Sequence, residues 1–438
     1  MSPSRAMSSL SVGFPSLGFV LLLGSACSRP EPAPAALTYH QDIAPLVDRY
    51  CAGCHKEGGI GHFALTSYAE VQRYSPLIKS AVSSGRMPPW LPAEDSRELH
   101  AKRAMRPNDK ADLLAWIDEG MPEGSVDMPR RTDLPGVQMV AAPRPDLVLD
   151  PKQNYSPDSS RPDDYHCFVY DPKLLRDRFV VAGQVKPGNH HIVHHASAYE
   201  IPEAEAPAIL AKDPTGRGYT CFGSPGTTSL PVTIMGWAPG GVGMRFPQGT
   251  SLRLHKGSLV VVQVHYNMLE GMGHSDRTVM ELELSDEVPQ HELYSLPVAR
   301  PKQLLIPAGA ADAVQTIEFP LSLLASRFGL PANKLTVYGH TPHMHLLGTK
   351  IMTALNGETL INIPRWDFHW QQGYQFVSPY TATGTDTFKL ECHYNNTAEN
   401  QPVIDGKKSP PKEVTWGEGT EDEMCLSFLG IRIKRPTP

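Results

Sequence analysis

The sequence predicts a multidomain chain, a small all-α domain followed by two antiparallel β-sandwich domains of jelly-roll-like type. Three observations predict it. Ile43, Leu46, Val47 and Tyr50 recur at i, i+3, i+4 and i+7, one apolar face of a helix. Beyond Asp146 the texture changes to short apolar runs between Pro- and Gly-rich turns, and SLVVVQVHY at 258–266 reads as a buried strand. The chain has 438 residues, too many for one core, which sets an expectation of about two to four domains.

Taken in order, residues 1–27 read as an export signal. Arg5 supplies a weak positive region, Leu17 to Leu23 a short apolar run, and Gly24-Ser25-Ala26-Cys27 a small-residue site ending in cysteine. The run is too short for a stable membrane span. This stretch resembles a bacterial lipoprotein signal, in which the cysteine is acylated, although Gly24 departs from the aliphatic residue that pattern prefers. An ordinary signal cut near Ala26 is the alternative. Residues 28–36, rich in Pro and Ala, suit a flexible tether. The expectation is a membrane-anchored lipoprotein on the periplasmic side of a Gram-negative-type bacterium, with the outer membrane favoured.

Residues 37–123 are expected to be helical. A second helix runs over 68–83 with a kink or break expected at Pro76. A third is punctuated by Asn108 as N-cap and Gly120 as stop, with Leu113, Leu114 and Ile117 on one face. Residues 124–145 read as a Pro-rich interdomain linker, and the two sandwiches as 146–296 and 297–438, with the boundary near Leu296–Pro301. Asn356-Gly357 between two alternating runs in 350–363 is a hairpin signal. The net charge of -6 offers no basic patch, so no nucleic-acid partner is expected.

The helical segment carries Cys51-Ala52-Gly53-Cys54-His55. Two thiols at that spacing can bond the two vinyl groups of a haem, and the next histidine then reaches the iron. On these residues the segment is similar to a small class I cytochrome c with one covalently bound haem c. Met87, in the rigid loop Gly85-Arg86-Met87-Pro88-Pro89-Trp90, is the expected sixth ligand, ahead of Met105, Met121, His62 and His100. Seven cysteines are present; lipid takes Cys27 and haem takes two, which leaves Cys167, Cys221, Cys392 and Cys425 for two disulfides in an oxidising compartment.

A second constellation spans the β region: His194 and His195, His265 at the end of its strand, His343 and His345, and Met424. Three imidazoles suit copper in both oxidation states, whereas two imidazoles plus a thioether favour Cu(I). Residues i and i+2 of a strand share a face, so His343 and His345 can chelate together. The adjacent His194 and His195 need a bulge or strand end to converge.

In this order VHH at 193–195, VQVHY at 262–266, HMHLLG at 343–348 and DEMC at 422–425 resemble the copper type II, ascorbate-dependent monooxygenases over roughly residues 146–438. The resemblance implies one copper on His194, His195 and His265 that stores and delivers electrons. It implies a second on His343, His345 and Met424 where O2 is activated and a C–H bond hydroxylated. It also implies the pairings Cys167–Cys221 and Cys392–Cys425; the sequence alone leaves the alternatives open. His190, His191 and His340 are expected at the surface or behind the ligands. Family members acting on peptides place Arg two residues before the HxH pair and Asn and Tyr after the Met-Cys pair. Thr341, Leu426 and Phe428 stand there instead, so a carboxylate anchor is absent and the substrate is an unidentified small molecule. Electrons are expected from an ascorbate-like reductant or a periplasmic redox protein, relayed by the haem. The alternative is a non-catalytic periplasmic electron-transfer or copper-binding lipoprotein.

Overall fold

The computed structural model describes residues 36–57, 59–132, 143–239, 241, 243–268, 275–331, 335–404 and 407–434. Cys27, the export signal and the tether up to residue 35 therefore lie outside the described residues.

The helical segment forms Ala44–Tyr50, preceded by a wider turn at Tyr39–Ile43, then Tyr68–Ser83 and Pro107–Asp118. The second helix passes through Pro76 without a break. Val71, Ser75, Ile78 and Val82 are buried on both sides of the proline, and that packing outweighs the one lost backbone bond. The third helix begins one residue before the expected cap: Arg106 is the N-cap and Pro107 takes the first turn, where its fixed φ is already helical. Gly120, at φ +88°, ends the helix as expected. Tyr39, Ile43, Leu46, Val47, Leu113 and Trp116 close one small core, with the Trp116 indole donating to Pro122 O at 2.9 Å.

Within the expected linker, Arg131 packs back on the helices. Arg131 N donates to Gln41 O at 2.8 Å, and its guanidinium meets Asp112 at 2.7 Å. Residues 133–142 lie outside the described residues.

The remainder is β. A five-stranded sheet orders Tyr219–Thr220, Asp163–Tyr170, Leu259–Asn267, Val193–Ile201 and Val232–Trp237. A four-stranded sheet orders Ala313–Pro320, Thr387–Tyr394, Gly348–Leu355 and Glu358–Ile363. Each faces part of one long sheet. In that sheet Leu147–Leu149, Val279–Ser285, Arg178–Lys186 and Thr250–Leu254 are followed by His291–Ala299, Leu426–Lys434, Leu335–His343 and Tyr374–Ala382. Two apolar cores result, one around Val180, Val262, Met280 and Tyr266, the other around Ile351, Leu390, Tyr394 and Leu429. Between these strands the pairing is antiparallel except where His291 and Glu292 lie parallel to Thr250 and Ser251, at the join between the two sandwiches. Asn356 and Gly357, at φ 50° and 81°, form the tight turn of the expected hairpin.

One tie was not anticipated. The strap 90–100, between the second and third helices, lies along the second sandwich. Ala93 N donates to Asn362 O at 2.8 Å, Arg97 N to Leu360 O at 3.0 Å and His100 N to Gln375 O at 2.8 Å, while Trp90, Leu91 and Leu99 pack on its core.

Replacing Trp116 by Ala should cost the helical segment about 3–5 kcal/mol, since a fully buried ring and its hydrogen bond are removed together. Chemical denaturation followed by helical circular dichroism measures this; an unchanged midpoint would mean that the strap, not this core, holds the segment.

Candidate metal centre

His265 lies near the end of the strand Leu259–Asn267 and pairs directly with His195 of Val193–Ile201. Between Val193 and His195 the register shifts, so His194 is the extra residue of a β-bulge. The bulge turns two adjacent side chains towards one side, which a regular strand forbids. The Nδ1 atoms of His194 and His265 each approach His195 Nδ1 to 3.3 Å. Ligand atoms of all three residues lie within 4.8 Å of one another. His265 presents Nδ1 as a lone pair because its Nε2 donates to Asp163 Oδ1 at 2.7 Å. Tyr165 stacks flat on the same ring, at 4.1 Å and 6°.

His343 ends its strand, and Met344 and His345 continue just beyond it. The alternation nevertheless persists: Met344 is wholly buried in the second core while the two histidine rings come to 5.1 Å. Both tautomers follow from partners that can only accept. His343 Nδ1 donates to Gln371 Oε1 at 2.5 Å, and Gln371 is itself oriented by donating to Phe368 O at 2.9 Å. His345 Nδ1 donates to Asp422 O at 3.0 Å. Each ring therefore keeps Nε2 for a metal, the reverse of His265.

Met424 is buried, immediately before the strand Leu426–Lys434, and three attachments hold it. Tyr394 OH donates to its carbonyl at 2.8 Å. Cys425 is bonded to Cys392. The buried Glu423 carboxylate accepts from Met424 N, His345 N and Leu347 N at 3.2, 2.9 and 2.6 Å, tying the HxH turn to the Met segment. Burial pushes that carboxyl up to about 8 against the pull of these donors. Cys167–Cys221 forms the other disulfide and bridges the strand facing His265 to the loop beyond Tyr219–Thr220.

The two groups lie close together. The His195 and His343 rings lie 6.3 Å apart, and Phe368 stacks on His194 at 4.2 Å while meeting His345 edge-on at 6.0 Å. Asp163 also links them, accepting from Thr420 N at 2.8 Å and from its hydroxyl, just ahead of Met424. Asp163, Gln371, Phe368, Thr420 and Glu423 were all missed in the sequence. Only Glu423, next to Met424, gave a local signal; Asp163 and Thr420 are brought together across 257 positions. His340 is a buried structural residue between Ser427 Oγ and Thr353 Oγ1, and His191 is exposed.

Copper fits these donors. Three imidazoles converge, and the buried His194 Nε2 has no hydrogen-bond partner. Burial, reinforced by neighbouring imidazoles, holds His194 and His195 well below the usual histidine range. His343 is lowered to about 4 and His345 to about 3 for the same first cause.

In the helical segment Cys51 and Cys54 are the free cysteines among the described residues. His55 Nδ1 donates to Phe63 O at 3.1 Å, leaving Nε2 for an iron, so these residues fit a covalently attached haem. Met87 is 42% exposed, whereas Met105 is partly buried against the helical core.

Asp163→Asn should weaken copper binding at the three-histidine group by about 10–100-fold, because the tautomer of His265 loses its anchor; titration calorimetry reads it. A pH dependence follows as well. His340, His343 and His345 fall to about 3, 4 and 3 in the fold, below their unfolded value. Between the two values the unfolded chain binds more protons, so metal-free stability is complete at neutral pH and lost as pH falls from about 6.5 towards these folded values. A denaturation midpoint flat over that window would contradict it.

Comparison with known proteins places part of this arrangement. Residues 322–430 match the family model described as copper type II ascorbate-dependent monooxygenase, C-terminal domain. DBH-like monooxygenase protein 2 of Mus musculus is 24% identical over 277 residues, and dopamine beta-hydroxylase of Canis lupus familiaris 21% over 281. Each alignment covers 60% of this chain and 40% of the relative, so the chain spans less than half the length of the curated relatives it matches. A solved peptide-N(4)-(N-acetyl-beta-D-glucosaminyl) asparagine amidase aligns over 67% of this chain and 98% of its own at 11% identity, but its TM-score of 0.24 carries no argument. The matched stretch contains His343, His345 and Cys392–Cys425 and includes Met424, so this part of the chain is similar to the C-terminal domain of the copper type II ascorbate-dependent monooxygenases.

Proposed function

We propose that the chain is a copper-dependent monooxygenase that hydroxylates a C–H bond of a small substrate with O2. The observation that carries this reading is the approach of three convergent imidazoles to an HxH pair with both Nε2 atoms freed. Two bound coppers would supply one-electron redox chemistry and O2 activation. The protein's own contribution is positional. The bulge at His194 gathers one ligand set, Glu423 joins the other, and Asp163 fixes the spacing of the Met loop against His265. Depressed basicity keeps His194, His195, His343 and His345 neutral at pH 7 without a metal. Beside the HxH pair, Thr341 pairs with Phe428 and His343 with Leu426, a rim without a cation, which suits a substrate lacking a carboxylate.

In the same reading Cys51, Cys54 and His55 hold a haem c, with Met87 as sixth ligand, that passes electrons from an ascorbate-like reductant or a redox protein. Cys27 carries the lipid that tethers the chain to a membrane. Among the described residues no helix is long and apolar enough to cross one.

The purified chain should bind about two coppers and one haem. Met424→Ile should abolish substrate-dependent O2 uptake and leave the three-histidine copper in place by electron paramagnetic resonance, whereas His265→Ala should remove that signal. Two metals bound with no O2 uptake under any reductant would favour a non-catalytic redox carrier. For the haem, Met87→Ala should shift the reduction potential and Met105→Ala should not; the opposite pattern would transfer the sixth ligand to Met105.

A further inference from the structure

Where the strap 90–100 meets the long sheet lies a cavity of about 210 Å³. His100 lines it from the strap, Pro247 and Thr250 from the turn that leads into Thr250–Leu254, and Tyr338 and Arg432 from two paired strands. The two polar groups on those strands are specifically placed. The register of Leu335–His343 shifts between Val337 and Gly339 against both of its neighbours, so Tyr338 is the extra residue of a β-bulge. A bulge re-aims the side chain it carries. The Tyr338 ring lies over Gly430, where a Cβ would stand 2.9 Å from two of its carbons, so a side chain at 430 would displace it. Burial raises the Tyr338 phenol above its usual value, and the hydroxyl stays a donor. Among the described residues neither that hydroxyl nor the Arg432 guanidinium has a protein partner, and the Arg432 Nε is also shut off from water.

A guanidinium held in the fold without an acceptor is costly, and an anion brought against it removes that cost. No carboxylate of the chain lines the cavity to play this part. The rest of the lining is largely apolar, with Leu293, Phe376, Val377 and Pro379 in it. A bare inorganic anion would lose its hydration against such walls, whereas an organic body gains by burial. The volume lies below the roughly 300–1,000 Å³ of pockets for drug-sized ligands, which calls for a small molecule. We propose that this cavity binds a small organic monocarboxylate, its carboxylate on Arg432 and Tyr338 and its apolar body against Leu293, Phe376 and Pro379. Arg432 supplies a charge-assisted bond and Tyr338 the second donor. The site is distinct from the histidine groups: Tyr338 precedes His343 by five positions, about 16 Å along a strand. The inference therefore does not rest on the reading given under Proposed function. An occupant would touch the strap and both sandwiches at once, and would stabilise their packing by mass action.

The test titrates the full chain with benzoate and with hexanoate in a calorimeter, with benzamide as the uncharged counterpart and inorganic phosphate as the bare anion. At least one of the two carboxylates should bind at a single site per chain and raise the denaturation midpoint, with benzamide and phosphate weaker. Arg432→Gln and Tyr338→Phe should each weaken that binding about tenfold or more, and Arg432→Lys less than Arg432→Gln. Tyr338→Phe keeps the ring over Gly430 and Arg432→Lys keeps the charge, so folded variants remain for comparison, checked by circular dichroism and by unchanged copper affinity at the three-histidine group. If neither carboxylate binds, or if both polar variants bind it as the parent does, the inference is overturned. Phosphate binding more tightly than either carboxylate, and lost in Arg432→Gln, would make this an inorganic-anion site and overturn the assignment of the ligand.

Discussion

All nine residues of His291–Ala299 pair with Leu426–Lys434, while the first two also pair with Thr250 and Ser251 of the other sandwich. Two sandwiches that share a strand cannot rotate freely, because turning one against the other would break backbone bonds in a continuous sheet. The strand Leu426–Lys434 in turn sets the register of Leu335–His343, with Leu426 opposite His343. Since Met424 lies two residues ahead of Leu426, one run of pairing decides the relative places of the HxH pair and the thioether. The shared strand is thus the constraint behind the arrangement of His343, His345 and Met424 and behind its distance from the three-histidine group.

Within that frame the chemistry depends on how each imidazole disposes of its second nitrogen. A carboxylate takes the Nε2 proton of His265, while an amide oxygen and a backbone carbonyl take the Nδ1 protons of His343 and His345. His265 accordingly leaves Nδ1 free, whereas His343 and His345 leave Nε2 free. Asp163 serves both, since it also accepts from Thr420 on the loop leading to Met424. A change in spacing between the sandwiches would therefore be felt at His265, which gives the two groups a mechanical link as well as an electronic one.

The helical segment is not a loosely tethered appendage. Backbone bonds from 93–100 to the strands and turns of the second sandwich hold it in place. Its own core is small, so much of its fixed position comes from this strap and from the return of Arg131 to Asp109 and Asp112.

Residue type and spacing alone determined the elements with strong local patterns. The 68–83 helix, the Asn356-Gly357 turn and the SLVVVQVHY strand were legible because each pattern is written over a few adjacent positions, whereas the ligand candidates at 194, 195, 265, 343, 345 and 424 came from a resemblance of several motifs taken together. Local signals misled where packing intervened: Pro76 breaks no helix, and Asn108 caps none. Only the tertiary structure decided that His194 sits on a bulge, that a strand belongs to both sandwiches, and that Asp163 meets Thr420. Such contacts depend on register and on pairs far apart in the chain, and no short-range periodicity encodes which distant surfaces will be pressed together.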